Sequence, residues 1–225
     1  MKMRFVPFLV LVIAVLNPPE HAMGQEAVSL YHSERGRFSL SIPPAWEKQE
    51  QDMGQGVWGL IAQSPDEATS DFFSENINIV IVPADTTDLS EANRRGIEIL
   101  KRNMAQFTLL DQAVGKIGPH SASWFIHTFS YEGHTLKLLQ YTLINGNKMY
   151  IATCTALPET FDRYRPVFEN IVASIAFDEP ATPRASPTTP VRSDGNSFNV
   201  ASKLGAVIGA IVGFYALFRA LRRKK

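Results

Sequence analysis

Apolar and polar residues alternate with a period of two through most of the middle of the chain, and in two stretches the spacing widens to the three-and-four rhythm of a helix. Phe38, Leu40 and Ile42 alternate with serines until Pro43-Pro44 stops the run, which predicts a strand. Residues 57–62 predict a second. Residues 76–82 predict a third, with Ile77, Ile79 and Ile81 on one face and Val80 and Val82 on the other. A strand apolar on both faces has to be covered on both, so this one belongs at the centre of a sheet.

Asp88-x-x-Glu91 then has capping-box spacing, and Leu89, Asn93, Ile97, Leu100, Met104 and Phe107 recur at helical intervals. The opposite side of this helix carries Arg94, Arg95, Glu98, Lys101 and Arg102 and reads as a solvated face. From residue 109 to residue 156 the period of two returns as an antiparallel meander, turning at Glu132-Gly133 and at Asn145-Gly146, where Asn-Gly is a strong hairpin signal. The first of these turns sets His134 opposite Tyr131 and His127 opposite Leu138. A closing helix over residues 159–174 aligns Phe161, Tyr164, Phe168, Ile171 and Val172 on one stripe, with Pro166 either kinking it or marking its first turn. Residues 175–177 predict a last short strand. The order of elements predicts an α+β domain, an antiparallel sheet of about six strands with helices packed on both faces.

Both ends of the chain follow a different pattern. Residues 204–218 form a run of fifteen uncharged residues followed by Arg219, Arg222, Arg223, Lys224 and Lys225. Extended to residues 201–221, with Lys203 and Arg219 snorkelling, the run reaches the roughly 20 residues of a transmembrane helix. Gly205, Gly209 and Gly213 fall on one face of it, where a second helix backbone approaches closely, so a homodimer through this helix is one reading and a lipid-facing tether the other. Residues 1–24 read as a secretory signal peptide, with Lys2 and Arg4 ahead of an apolar core and Ala22-Met23-Gly24 as the cleavage site. The basic tail, residues 222–225, belongs on the cytoplasmic side. Domain outside and tail inside is the topology on which the two ends agree. Between them, residues 179–199 hold Pro180, Pro183, Pro187 and Pro190 among small polar residues and read as a semi-extended stalk, reaching roughly 60 Å at about 3.1 Å per residue.

Composition changes this picture in two respects. The whole chain is formally neutral, yet residues 26–180 carry twelve Lys and Arg against twenty Asp and Glu, a net charge of −8. An acidic exported domain, residues 26–178, excludes nucleic acid as the expected partner, which requires a basic stripe. The single cysteine, Cys154, has no internal disulfide partner, so the fold rests on its core, and export without disulfides suits a bacterial cytoplasmic membrane with the domain on its outer side.

Phe38-x-Leu-x-Ile-Pro-x-x-Trp46, Asn76-Ile-Asn-Ile-Val80, the run from Gln140 to Ala156 and Phe161-x-x-Tyr-x-Pro-x-Phe-x-x-Ile-x-x-Ser174 together resemble the PsbP-like/DcrB superfamily over nearly all of residues 37–177. The resemblance implies an antiparallel sheet sandwiched between helices. It also implies an extrinsic subunit, assembly factor or binding module at a membrane. The chain departs from DcrB-type members in lacking a lipid-anchor cysteine, and from photosystem PsbP in its predicted spanning tail.

Candidate chemistry is sparse. His120, His127 and His134 are spaced by seven and stand at different levels of the expected ladder, so they read as separate histidines, not as metal ligands; His32 and Glu132 complete no set with them. Cys154 alternates with Tyr150 and Ala152 on a strand and has no neighbouring base to make it a nucleophile. Ser64, Ser130 and Ser174 lie in no nucleophile-elbow context, and neither a Gly-rich phosphate loop nor a carboxylate pair stands out. No catalytic residue, cofactor or metal is therefore assigned. Trp46 and Trp58, with Phe72 and Phe73, fall in the least regular stretch, where residues 52–59 read as a mobile loop beside a ligand groove or, alternatively, as core. The leading reading is a non-catalytic, membrane-anchored binding or assembly module acting on an envelope protein or complex. A small-ligand carrier using Trp46 and Trp58, or an unrecognised hydrolase or metalloprotein, are the competing readings.

Overall fold

The computed structural model describes residues 28–54, 57–65 and 73–178. The expected signal peptide, stalk, transmembrane helix with Gly205, Gly209 and Gly213, and basic tail all lie outside the described residues. Ten strands and two helices follow in the order β1 (Ser29–Ser33), β2 (Phe38–Ile42), β3 (Glu47–Gly54), β4 (Val57–Gln63), β5 (Asn76–Pro83), α1 (Leu89–Asn103), β6 (Thr108–Ile117), β7 (His120–Tyr131), β8 (His134–Asn145), β9 (Lys148–Ala156), α2 (Phe161–Ala173) and β10 (Ala176–Phe177).

The strands form two antiparallel sheets instead of the expected one of about six strands. Seven run in the order β3-β4-β5-β9-β8-β7-β6, and three form a separate sheet in the order β1-β2-β10. The large sheet is the middle layer. On β5, Ile77, Ile79 and Ile81 enter one core while Val80 and Val82 enter the other, and on β9 Tyr150, Ala152 and Cys154 oppose Met149 and Ile151 in the same way. Strict alternation on a central strand thus serves two cores at once. The first core is roofed by α2 and the small sheet, the second by α1.

Helix α2 buries the stripe Phe161, Tyr164, Phe168, Ile171 and Val172. Pro166 is its sixth residue, past the first turn, where it forgoes a bond to the Asp162 carbonyl. In α1 the Asp88 carboxylate accepts from the N–H groups of Ser90 and Glu91 at 2.8 and 3.2 Å. The return half of the capping box is not made, because Glu91 is held by Arg94 and Arg95 at 2.8 and 2.6 Å, which also lowers its pKa.

His134 pairs with Tyr131 and His127 with Leu138. The next hairpin sits one residue later than Asn145-Gly146: Asn145 pairs with Lys148, and the two loop residues are Gly146, at φ 60°, and Asn147. A glycine with positive φ at the first loop position suits a type II′ turn, and Asn145 stays in the ladder. Gly118, at φ 56°, turns β6 into β7, and a Cβ there would lie 2.4 Å from the Ala173 carbonyl oxygen, so only glycine lets this hairpin meet the end of α2.

Candidate interaction edge

Strand β6 closes one side of the large sheet, and no described strand lies beyond it. Its position is set by the end of α1. The Met104 N–H donates to the Leu100 carbonyl at 2.8 Å, the chain reverses through Gln106 at φ 54°, and the Ala105 carbonyl accepts from the Ser130 N–H at 3.0 Å. Phe107 is thereby laid on His127 of β7, with ring centroids 5.0 Å apart and planes 28° from parallel. One residue later β6 begins alongside β7.

The inner side of β6 is well fastened. It pairs with β7 along its length, with a register shift between Leu109 and Asp111 that marks a bulge at Leu110. The Asp111 carboxylate accepts from the Gln112 N–H at 2.8 Å, and Gln112 Oε1 accepts from Asn93 Nδ2 of α1 at 3.3 Å. The outer side meets no described strand and is apolar. Leu109, Leu110 and Val114 are 36%, 52% and 50% exposed and, with Val28 and Leu30 at the edge of the small sheet, make up the exposed large hydrophobic residues of the described surface. Only Asp111 and Lys116 interrupt the strand with charge.

The opposite edge is built differently. Strand β3 carries Glu47, Lys48, Glu50 and Asp52. The small sheet reaches across to it: Tyr31 Oη donates to Glu50 at 2.6 Å and Arg35 pairs with Asp52. Charge, cover and bulges are the usual means of closing a sheet edge to foreign strands, and β6 has one bulge, at Leu110, with little charge and no described strand over it.

Residues with chemical potential sit elsewhere, and apart from one another. His127 is fully buried among Phe107, Phe125 and Phe129, and neither ring nitrogen has a hydrogen-bond partner; burial pulls its pKa down to about 3. His120 Nε2 donates to the Ile175 carbonyl at 2.6 Å and its ring packs on Phe177. His134 is exposed at the start of β8, and His32 bonds Ser39 at 2.9 Å. Among the described residues no group of three or more His, Cys, Asp or Glu is placed to hold a metal ion. Cys154 is fully buried in the first core, and burial with the Glu169 carboxylate pushes its thiol well above the usual range, opposite to what a nucleophile needs. Ser174 Oγ donates to the Ile171 carbonyl at 2.7 Å and accepts from the Ser41 N–H at 2.8 Å, tying α2 to β2.

Trp46 and Trp58 are 5% and 6% exposed. Trp46 packs on Tyr164 and Phe168 of α2 at 6.3 and 6.2 Å, and Trp58 on Phe38 at 6.3 Å. Both belong to the first core. The stretch read as a mobile loop is, where described, the end of β3 and the start of β4, with Asp52 opposite Trp58. The sequence marks β6 only as one strand of the meander; that it is an edge follows from the sheet order, which the sequence does not carry.

A middle sheet covered on one face by a helix and on the other by a helix and a small three-stranded sheet is the PsbP-type fold. No family model matches the chain, and no curated protein matches it in sequence. Among solved structures, the chain is similar to cyanobacterial PsbP (CyanoP) from Synechocystis sp. PCC 6803, with a TM-score of 0.53 and 12% identity over 69% of this chain and 95% of that one. It is also similar to the Ran-binding protein Mog1p of Saccharomyces cerevisiae, with a TM-score of 0.49 and 9% identity over 68% and 97% of the two chains. LpqN, involved in cell envelope biogenesis of Mycobacterium tuberculosis, is similar with a TM-score of 0.46 and 15% identity over 67% and 90%.

Proposed function

We propose that this chain is a non-catalytic binding or assembly module, held on the outer side of a bacterial cytoplasmic membrane by residues 201–221 and acting through protein contact in the envelope. The observation that carries the reading is the β6 edge: an open, ten-residue strand bearing Leu109, Leu110 and Val114 exposed to solvent. An unpaired strand offers a row of backbone donors and acceptors, and the apolar side chains beside it add contact area, which together suit strand addition by another polypeptide. The export signal, proline-rich stalk and apolar C-terminal run in the sequence support presentation outside the cytoplasm. Among the described residues Cys154 is buried with its thiol pushed up, and the histidines stand apart from one another.

A photo-crosslinking residue placed at Leu110 of the full chain, in its own membrane, tests this reading. A discrete protein adduct is expected there, and none with the same residue at Arg102 on the solvated face of α1. Equal labelling at the two positions, together with hydrolase turnover by the purified protein, would reverse the assignment. Within the same reading, Gly209→Leu in the full chain is expected to lower self-association of the membrane helix, measured by crosslinking in membranes; unchanged association makes residues 201–221 a plain tether.

A further inference from the structure

The β6 edge is matched in register to itself, and we infer that its occupant is the β6 strand of a second copy of this chain, the two pairing antiparallel about a two-fold axis through Gln112. This inference rests on the reading of β6 as the interaction edge and specifies its partner.

Residues opposite one another in an antiparallel pair place their side chains on the same face. A two-fold axis perpendicular to the sheet must therefore pass beside a residue that meets its own copy, which leaves few registers. Centring on Asp111 or Lys116 sets like charges directly opposite. Centring on Ala113 puts Leu110 against Lys116, and centring on Val114 sends Leu110 to Gly118, beyond the strand. Centring on Gly115 leaves Leu110 without a partner and puts Val114 against Lys116. Centring on Gln112 sets the bulged pair Leu109 and Leu110 opposite Val114 of the copy, twice over, with Asp111 opposite Ala113 and, beyond the bulge, Thr108 opposite Gly115. That register removes the most exposed apolar side chains of the strand from water and opposes no like charges.

Closure supports the same solution. A head-to-tail extension of the large sheet would need β6 to pair with β3, whose charged edge is engaged by Tyr31 and Arg35. Self-pairing of β6 instead ends at two copies, with a continuous sheet of fourteen strands and a β3 edge at each end. The pairing asks the Gln112 N–H to exchange the Asp111 carboxylate for its partner's backbone, a local side-chain rearrangement.

Gln112→Cys in the full chain, treated with a short thiol crosslinker, tests the register. A covalent dimer is expected, because residue 112 meets its own copy. Lys116→Cys is expected to give none, since residues 116 of the two copies stand eight positions apart, about 27 Å at about 3.4 Å per residue. The unsubstituted chain serves as background because its lone cysteine, Cys154, is buried. Leu110→Asp with Val114→Asp, which alters only exposed positions, is expected to reduce the Gln112→Cys dimer about tenfold or more. Raising the salt concentration is expected to increase the dimer, because residues 26–180 of each copy carry a net −8. A folded Gln112→Cys protein, judged by tryptophan fluorescence, that yields no dimer overturns the inference. Crosslinking at Lys116 as efficient as at Gln112 overturns it as well. If Leu110 then captures a different envelope protein, the inference fails while the proposed function stands; if Leu110 captures nothing, the proposed function fails too.

Discussion

Burial of His127 makes a quantitative claim about acid stability. The imidazole faces Phe107, Phe125 and Phe129, with Leu109 and Leu138 opposite it on the neighbouring strands, and none of these side chains titrates or accepts a proton. Burial lowers its pKa from 6.5 to about 3. Above pH 6.5 the ring is neutral in folded and unfolded chains alike, and it contributes no pH dependence. As the pH falls below 6.5 the unfolded chain takes the proton and the folded chain does not, so stability is lost progressively until about pH 3. The shift from 6.5 to about 3 sets a ceiling of about 5 kcal/mol, with a slope approaching 1.4 kcal/mol per pH unit across that window. His127→Phe removes both the titration and the two unpartnered nitrogens. Urea denaturation at several pH values between 7 and 4, followed by fluorescence of the buried Trp46 and Trp58, gives stability for the two proteins. Other titrating groups cancel in the difference, so the wild type is expected to fall behind the variant by on the order of 3 kcal/mol between pH 7 and 4. At pH 7 the variant is expected to be more stable by about 1–3 kcal/mol, since burying a polar side chain without a hydrogen-bond partner costs roughly that much, less any strain from the larger ring. His127→Leu, with no added ring volume, is expected to show the same pH difference. Parallel stability curves across pH for the wild type and both variants would refute the reasoning, because they would mean that the folded protein accommodates the imidazolium.

Three further outcomes follow from the packing. Phe168→Ala deletes a fully buried ring that meets Trp46 and Tyr164 and is expected to cost about 3–5 kcal/mol in chemical denaturation. Asp88→Ala leaves the Ser90 and Glu91 N–H groups without their cap and is expected to cost about 1 kcal/mol in the same assay, with a local rise in amide exchange at the start of α1. Gly118→Ala places a methyl group 2.4 Å from the Ala173 carbonyl oxygen and requires a positive φ, so it is expected to destabilise by more than about 1 kcal/mol. Gly133→Ala, which also has positive φ but open space around it, is expected to cost less, a comparison that isolates the close approach.

Periodicity alone determined a good deal of this protein. The stripe Phe161, Tyr164, Phe168, Ile171 and Val172 on α2 and the two-sided β5 were legible because each residue's environment there is set by its place in a local repeat. The same rhythm carried the α+β class and the hairpin that pairs His134 with Tyr131. Tertiary structure decided what depends on partners distant in the chain. Strand β3, Glu-Lys-Gln-Glu-Gln-Asp-Met-Gly, has almost no apolar alternation and is a strand because β4 supplies its backbone bonds. The small sheet exists because β10 returns from the end of the domain to pair with β2. Whether Trp46 and Trp58 lined a groove or filled a core depended on α2 and β2 arriving over them. The β6 edge is of the same kind: Leu109, Leu110 and Val114 read as ordinary strand residues until the sheet order leaves nothing described beside them, because being at an edge is a property of the sheet and not of the strand.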